Sequence, residues 1–382
     1  DARRGLDDRS MRFPWRPAEE ATDAPAVEGL GDQVQEDVSE VLAITGIAPA
    51  QSGQAVLFTG RLRAGAESGL QTLLPRLQGK GFLPFFRQQD GLDSILVVPS
   101  GQERRRSRMI NVLLLVATVL TTLFAGATQR GFNPMAEPSA LLEGVPFAAA
   151  LLLVLGTHEM GHYVVGRLRG LRVTLPYFIP VPFGLGTFGA FILMDSPVED
   201  RKSFFDVGLA GPLAGLVVAI PILVVGLELS EVVPRVLVRV DRGFFLGTSL
   251  LIDWIVDGLF GSLPVGSEIR LHSVAYAGWI GLFITGVNLL PAGQLDGGHV
   301  AYAVFGRFYN IVAQLTFLFM LALGLFSGWS GWFIWAFFIL LSGPGHPRAL
   351  NDITPLNPLR LAVAGLAGLL LILLFIPVPF SQ

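Results

Sequence analysis

The stretch that decides the fold is GTHEMGHYVVG, residues 156–166, which directly follows the apolar run AAALLLVL of residues 148–155. Two histidines and a glutamate thus interrupt a segment suited to lipid. Ionisable side chains inside a membrane span are costly, and proteins keep them where they face a protein interior, bind a ligand or do chemistry. The stretch therefore predicts a functional site within a membrane-spanning helix.

The composition of the whole chain agrees with an integral membrane protein. Of its 382 residues, 52% are hydrophobic and 15% are charged, whereas soluble domains carry about 25% charged residues. The net charge of −3 gives no support for a nucleic-acid partner. The chain has no cysteine and five histidines. Disulfides and cysteine-type metal sites are therefore excluded, and any metal must be bound by His, Asp or Glu.

The first hundred residues are more polar than the rest of the chain. Residues 1–35 are rich in Asp, Glu, Arg, Pro and Ala without apolar periodicity, which predicts a disordered tail. Residues 36–100 have the pattern of a small soluble α/β domain. Its predicted elements are a short helix at 36–45, a strand at 54–62, a helix at 67–81 and a hairpin around Asp90-Gly91.

The remainder, residues 109–382, is predicted to be a polytopic helical membrane domain with about six to eight spans. Arginines 104, 105, 106 and 108 precede the first span and hold that end in the cytoplasm. The N-terminal domain is therefore expected to be cytosolic, and alternation puts Arg169, Arg201, Lys202 and Arg360 on the same side. The predicted spans are 110–127, 144–163, 206–227, 273–290, 311–326, 329–342 and 360–376.

One further apolar segment, PYFIPVPFGLGTFGAFILM at 176–194, is broken by prolines and glycines. Both of its ends are expected on the cytosolic side. Irregular backbone at membrane depth survives only against protein or water, so the segment is predicted to be re-entrant. It would either present a strand edge to a substrate or act as a passive plug beside the site.

The residues His158-Glu159-Met160-Gly161-His162 form the H-E-x-x-H pattern. Positions i and i+4 share one face of a helix, so both imidazoles can bind one zinc ion, and Glu159 lies beside them to accept a proton from water. The alternative is a pair of buried histidines bonded to neighbouring helices, in which case Glu159 would also need a partner.

A catalytic zinc has three protein ligands and one open position, so a third ligand is required. Asp296, near the cytosolic end of the span at 273–290, is expected at the same depth as the two histidines. The alternative is an aspartate that only ends a helix in a glycine-rich turn. Asn288 is a candidate donor to the substrate or the oxyanion, or else makes an interhelical hydrogen bond.

Three other histidines have less decisive surroundings. His299 follows Asp296 by three residues and either lies beside the site or faces another helix. His346 is expected in a cytosolic loop. His272, at the outer end of its span, is expected to have a structural role.

Three motifs in this order resemble the site-2 protease family of intramembrane zinc metalloproteases. They are HExxH in one span, Gly211-Pro-Leu-Ala-Gly215 in the next, and N-x-x-P-x-x-x-L-D-G from Asn288 onward. The resemblance covers residues 145–305. It implies that His158, His162 and Asp296 bind Zn²⁺, that Glu159 is the general base, and that the substrates are membrane-spanning proteins cut in regulated proteolysis. The glycine pair is expected to let two helices approach closely.

The layout also resembles one subgroup of that family. The 228–272 loop is too short for the PDZ domain that many members carry, and a soluble domain precedes the first span. This arrangement is similar to cyanobacterial and chloroplast members. It implies a bacterial inner membrane or, alternatively, a chloroplast membrane as the location, with the lipid bilayer and a membrane protein substrate as partners.

Two other functions fit parts of the sequence. A secondary transporter would use buried His, Glu and Asp to relay ions, and it predicts an inverted repeat, which the sequence does not show. A catalytically inactive metal-binding scaffold would need the histidines but has no use for Glu159.

Overall fold

The computed structural model describes residues 30–51, 54–89, 91–101, 107–235, 245–342 and 345–381. A small α/β domain is followed by a larger helical domain, and each has a buried hydrophobic core. The fold is therefore the predicted one, a mostly helical membrane protein with an α/β N-terminal domain.

The N-terminal domain is one antiparallel sheet covered by two helices. Its strands lie in the order β1-β2-β4-β3. Leu70, Leu73 and Leu77 recur at helical spacing and are at most 4% exposed, so one face of the second helix packs into the core. The elements are α1 (Leu30–Val41), β1 (Leu42–Ala50), β2 (Ala55–Leu62), α2 (Ala66–Gly79), β3 (Phe82–Gln89) and β4 (Leu92–Pro99).

Two predictions for this domain are corrected. Helix α1 begins at Leu30, so residues 30–35 of the predicted tail are helical, because Val34 and Val38 lie one turn apart and are both fully buried. The rest of the predicted tail lies outside the described residues. Helix α1 ends at Val41, and the residues that follow form β1 rather than more helix, because they pair with β2. Pairing with the neighbouring strand overrides the local helix propensity of these residues.

The hairpin of β3 and β4 lies where it was predicted, although Asp90 is outside the described residues. Gly91 has a φ of +78°, a backbone conformation that glycine adopts without steric cost.

Four helical stretches of the second domain are long and apolar enough to cross a membrane, and three shorter apolar helices accompany them within the described residues. Together they cover the seven predicted spans. The long ones are α3 (Arg108–Gln129), α4 (Val145–Leu168), α5 (Arg201–Glu228) and a stretch composed of α8 (Asp296–Phe305) and α9 (Tyr309–Phe326). The shorter ones are α7 (Ser273–Asn288), α10 (Gly331–Ser342) and α11 (Pro358–Leu374).

Helix α6 (Leu250–Phe260) was not predicted, because Asp253 and Asp257 interrupt its apolar residues in a region assigned to an exterior loop. Ser249 caps it by accepting a hydrogen bond from the Ile252 backbone N–H at 3.4 Å.

The strands of the helical domain are short and occur in pairs. The pairs are β5 (Tyr177–Pro180) with β6 (Thr187–Phe191), β7 (Glu231–Pro234) with β9 (Ser267–Arg270), and β8 (Phe245–Leu246) with β10 (Phe380–Ser381).

The predicted re-entrant segment forms the hairpin of β5 and β6, which lies against α3. The Asn111 side-chain amide donates hydrogen bonds to the carbonyls of Leu175, at 2.8 Å, and Pro176, at 3.0 Å. The Thr121 hydroxyl donates to the carbonyl of Gly186 at 2.6 Å. A Cβ on Gly186 would meet the backbone of α3. Helix α3 thus satisfies polar backbone groups of the hairpin, which irregular backbone needs away from water.

Charged residues predicted to share one side of the membrane lie together. Asp206 on α5 binds both Arg360, at 2.8 Å from each of two guanidinium nitrogens, and Arg169 at the end of α4. Lys202, at the start of α5, pairs with Glu67 of the N-terminal domain at 2.9 Å. The N-terminal domain therefore packs on the end of the helical domain where α4 ends and α5 begins. Arginines 104–106 lie outside the described residues.

Candidate metal centre

Helix α4 and the first residue of α8 bring three ligand-type side chains to one point. His158 Nε2 lies 3.1 Å from Asp296 Oδ2, and His162 Nε2 lies 3.2 Å from Asp296 Oδ1. The two Nε2 atoms are 3.2 Å apart. The side chains of His158, His162 and Asp296 are 5%, 7% and 14% exposed. Within the part of the chain that the structure describes, these three side chains form the candidate metal site.

The spacing of these atoms fits a tetrahedral ion. Zinc binds nitrogen and carboxylate oxygen at about 2.0–2.2 Å, so two ligand atoms of a tetrahedron lie about 3.3 Å apart. The observed separations of 3.1–3.2 Å match this edge length. A hydrophobic core of α4, α5 and α7 surrounds the centre.

A backbone carbonyl orients the ring of His162. Its Nδ1 lies 2.7 Å from the Val207 carbonyl oxygen of α5. Because a carbonyl only accepts hydrogen bonds, Nδ1 carries a proton, and Nε2 is the ring nitrogen that faces Asp296 and His158. Carbonyl partners of this kind fix the tautomer of metal-binding histidines.

Three glycines of α5 provide the space for the centre. A Cβ on Gly211 would overlap the His162 ring, and one on Gly215 would lie 3.1 Å from His158 Nδ1. A Cβ on Gly208 would meet the His299 Cβ at 2.8 Å. The close helix approach predicted for the Gly211/Gly215 pair is confirmed, and Gly208 extends it by one turn toward α8.

Glu159 is buried, with 7% of its surface exposed. It does not belong to the group of three converging ligand atoms. The backbone of Ile192, one residue beyond β6, hydrogen-bonds its side chain. Glu159 therefore lies between the candidate metal centre and the re-entrant hairpin.

A cavity of about 190 Å³ opens beside the centre. Asn288, at the end of α7, lines it with its side-chain nitrogen 3.4 Å from His158 Nε2. The end of β6 forms another wall of the same cavity. The hairpin side is lined by Ala190, Phe191, Ile192 and Met194.

The remaining histidines lie as follows. His272 caps α7 by accepting from the Val274 backbone N–H at 3.3 Å, which is a structural contact. His299 also lines the cavity, and its Nδ1 lies 2.5 Å from Nε2 of His346. The loop position of His346 was predicted, but its contact with His299 was not, since no local sequence signal links residues 47 positions apart.

The fold and the centre together define a class of protein. It is a polytopic membrane protein in which a His-Glu-x-x-His helix and a distant aspartate meet at a candidate metal site. Residues 146–325 match the peptidase family M50. This match confirms the resemblance to site-2 proteases that the three motifs carry.

Curated relatives agree with this family. The chain is 34% identical over 239 residues to the probable zinc metalloprotease EGY1 of Arabidopsis thaliana, described as chloroplastic, covering 61% of this chain and 43% of the relative. It is 34% identical over 245 residues to EGY2 of the same plant, covering 63% and 43%. It is 29% identical over 368 residues to EGY1 of Oryza sativa subsp. japonica, covering 85% and 63%. The chain thus spans less than half of the two Arabidopsis relatives. No solved structure matches it.

Proposed function

We propose that this chain is a zinc-dependent intramembrane endopeptidase that cuts membrane-spanning proteins in regulated proteolysis. The observation that carries the proposal is the convergence of His158, His162 and Asp296 within apolar helices, with Glu159 beside them. A buried set of three ligand atoms with space next to it is the arrangement of a catalytic metal site.

In this proposal the two histidines and Asp296 would hold the metal, and the cavity lies beside them. Zinc held there would supply a Lewis acid that polarises the peptide carbonyl and makes a water molecule easier to deprotonate. Glu159 accepts the proton of that water and returns it to the departing amine. The Ile192 backbone hydrogen bond keeps the carboxylate pointing toward the hairpin side of the cavity.

The substrate is proposed to bind along β6. A helical substrate hides its carbonyls in intrahelical hydrogen bonds, so it must unwind before it is cut. Strand β6 pairs with β5 on one edge, and within the described residues the sheet has these two strands only. The second edge of β6 can therefore pair with an unwound substrate by strand addition. Asn288 can donate a hydrogen bond from its side-chain amide to the same substrate backbone. A hairpin that only plugs the cavity is the competing interpretation.

The proposed location follows from the charges and the relatives. The N-terminal domain lies at the end of the helical domain where Arg169, Arg360 and Lys202 cluster, and positive residues favour the cytosolic face. The membrane is that of a bacterial cell or of a chloroplast, the location given for the plant relatives.

Metal analysis of the purified chain together with a cleavage assay on co-expressed membrane baits tests the proposal. We expect about one zinc per chain and bait fragments cut within or next to their membrane segment. Bound zinc without cleavage of any bait would indicate a scaffold, and ion-coupled solute uptake without cleavage would indicate a transporter.

A further inference from the structure

Residues 345–352, which we call the strap, connect α10 to α11 and pair with the N-terminal domain. The Phe86 backbone N–H donates to the Leu350 carbonyl at 2.6 Å, and the Asp352 N–H donates to the Phe86 carbonyl at 3.3 Å. The Leu350 side chain is fully buried within the core of the N-terminal domain. The strap thus adds a short parallel segment to the outer edge of β3.

The other edge of the strap pairs with the residues that lead into α5. The Leu350 N–H donates to the Val198 carbonyl at 3.0 Å, and the Asn351 N–H donates to the Glu199 carbonyl at 2.8 Å. Asn351 is fully buried at this junction. The sheet of the N-terminal domain is therefore continued through the strap to the helix that orients His162.

A third contact fixes the strap to α8, the helix that begins with Asp296. The Tyr302 hydroxyl donates to Asp352 Oδ1 at 2.9 Å and accepts from the Ala349 backbone N–H at 3.0 Å. The Tyr302 ring stacks on His346, with centroids 4.3 Å apart and planes 15° apart.

His346 links the strap to the cavity because it contacts His299, which lines the cavity. Its Nδ1 lies 2.6 Å from the Pro347 carbonyl, which only accepts, so Nδ1 is protonated and Nε2 is an acceptor. The ring nitrogen of His299 that faces it, Nδ1, is then the donor. This assignment, made from the hydrogen-bond partners, leaves Nε2 of His299 as an acceptor in the cavity that the ring lines. Burial lowers the pKa of His346 well below its ordinary value, which agrees with a neutral ring.

We propose that the strap couples the N-terminal domain to the catalytic cavity, with His346 as a positioning residue that holds His299 in one orientation and tautomer. A change in the N-terminal domain that moves Leu350 would then release His299 and slow the reaction. This inference rests on the proposed function, because it assigns to the N-terminal domain the control of that same cavity.

The test uses the whole 382-residue chain in lipid nanodiscs with ¹⁵N-labelled histidine rings. Because the chain has five histidines, each ring can be assigned from single variants. We expect separate signals for a protonated and an unprotonated nitrogen on His299. His346→Ala should merge them by tautomer exchange and lower kcat/KM for a membrane bait about tenfold, the usual scale for one lost hydrogen bond. His346→Gln, which offers an acceptor oxygen, should restore the separate His299 signals and most of the kcat/KM. Zinc content should stay unchanged in each variant.

A matched pair tests the connection to the N-terminal domain. Leu350 and Leu73 are both fully buried leucines of the same core, but Leu350 alone lies on the strap. Leu350→Ala should shift the His299 signal and lower kcat/KM severalfold, whereas Leu73→Ala should leave both unchanged.

Two results would overturn the coupling. One is an unchanged His299 signal and unchanged kcat/KM in His346→Ala, and the other is equal effects of the two leucine variants. A wild-type chain that cuts no bait would overturn the proposed function alone, because the ring signal of His299 reports the coupling without turnover.

Discussion

The Nε2 atom of His158 lies 3.1 Å from Oδ2 of Asp296, although 138 residues separate them in the chain. Helix α4 supplies the histidine, and the first residue of α8 supplies the aspartate. Two buried groups of this kind at this distance need a counterion or a shared proton, and a divalent metal satisfies both together with His162.

Replacing Asp296 by Ala should weaken metal binding. Two histidines are a poor site for an ion that prefers four ligands, so zinc should fall well below the wild-type value of about one per chain. Elemental analysis after dialysis against a weak chelator measures this. Full zinc retention in the variant would mean that another carboxylate is the third ligand.

Replacing Asn288 by Ala should slow turnover by about 10²–10³-fold if its amide stabilises the developing oxyanion. Zinc content should not change. Thr285→Ala is the matched control, because Thr285 is buried one turn earlier on α7 and bonds the Gly281 carbonyl at 2.8 Å instead of lining the cavity. If both variants lower thermal stability equally and neither lowers kcat, the role of Asn288 is only an interhelical hydrogen bond.

A methyl group at Gly211 should disrupt the centre. The Cβ of Gly211→Ala would overlap the His162 ring, so we expect loss of zinc and a destabilisation of about 1–3 kcal/mol, the usual cost of overpacking. Gly365→Ala, on α11, is the control, because nothing lies within 4 Å of its added Cβ. That variant should be stabilised by up to about 1 kcal/mol. If thermal unfolding showed the same change in stability for Gly211→Ala and Gly365→Ala, the close contact between Gly211 and the His162 ring would be contradicted.

Reporter fusions test the sidedness of the membrane domain. Fusions after Ser100 and after Leu171 should both report the cytoplasm, because positive residues flank these ends. A fusion in the 228–272 loop should report the opposite side. An exterior signal at Ser100 would reverse the orientation of every span.

The sequence predicted most of the helical domain and the composition of the site, because both depend on local patterns. Apolar runs identified the spans, and HExxH placed two candidate ligands on one helix face. What it missed depends on contacts between elements. Strand β1 forms because it pairs with the next strand, β2. The strap is held by Phe86 and Val198, which lie far from it in the chain. Helix α6 was missed because its two aspartates interrupt the apolar pattern, although the helix packs in the membrane-domain core through Ile252.

Glu159→Gln tests the proteolytic mechanism most directly. Glutamine has nearly the shape of glutamate and still accepts the Ile192 hydrogen bond, but it cannot accept the proton of the attacking water. The variant should fold, keep about one zinc per chain and still bind substrate. It should cleave a membrane bait slower by at least roughly 10²–10⁴-fold, the contribution of general-base catalysis. Zinc content and bait cleavage are measured on the same two preparations, and undiminished cleavage by a zinc-loaded Gln variant would contradict the assignment of Glu159 as the base.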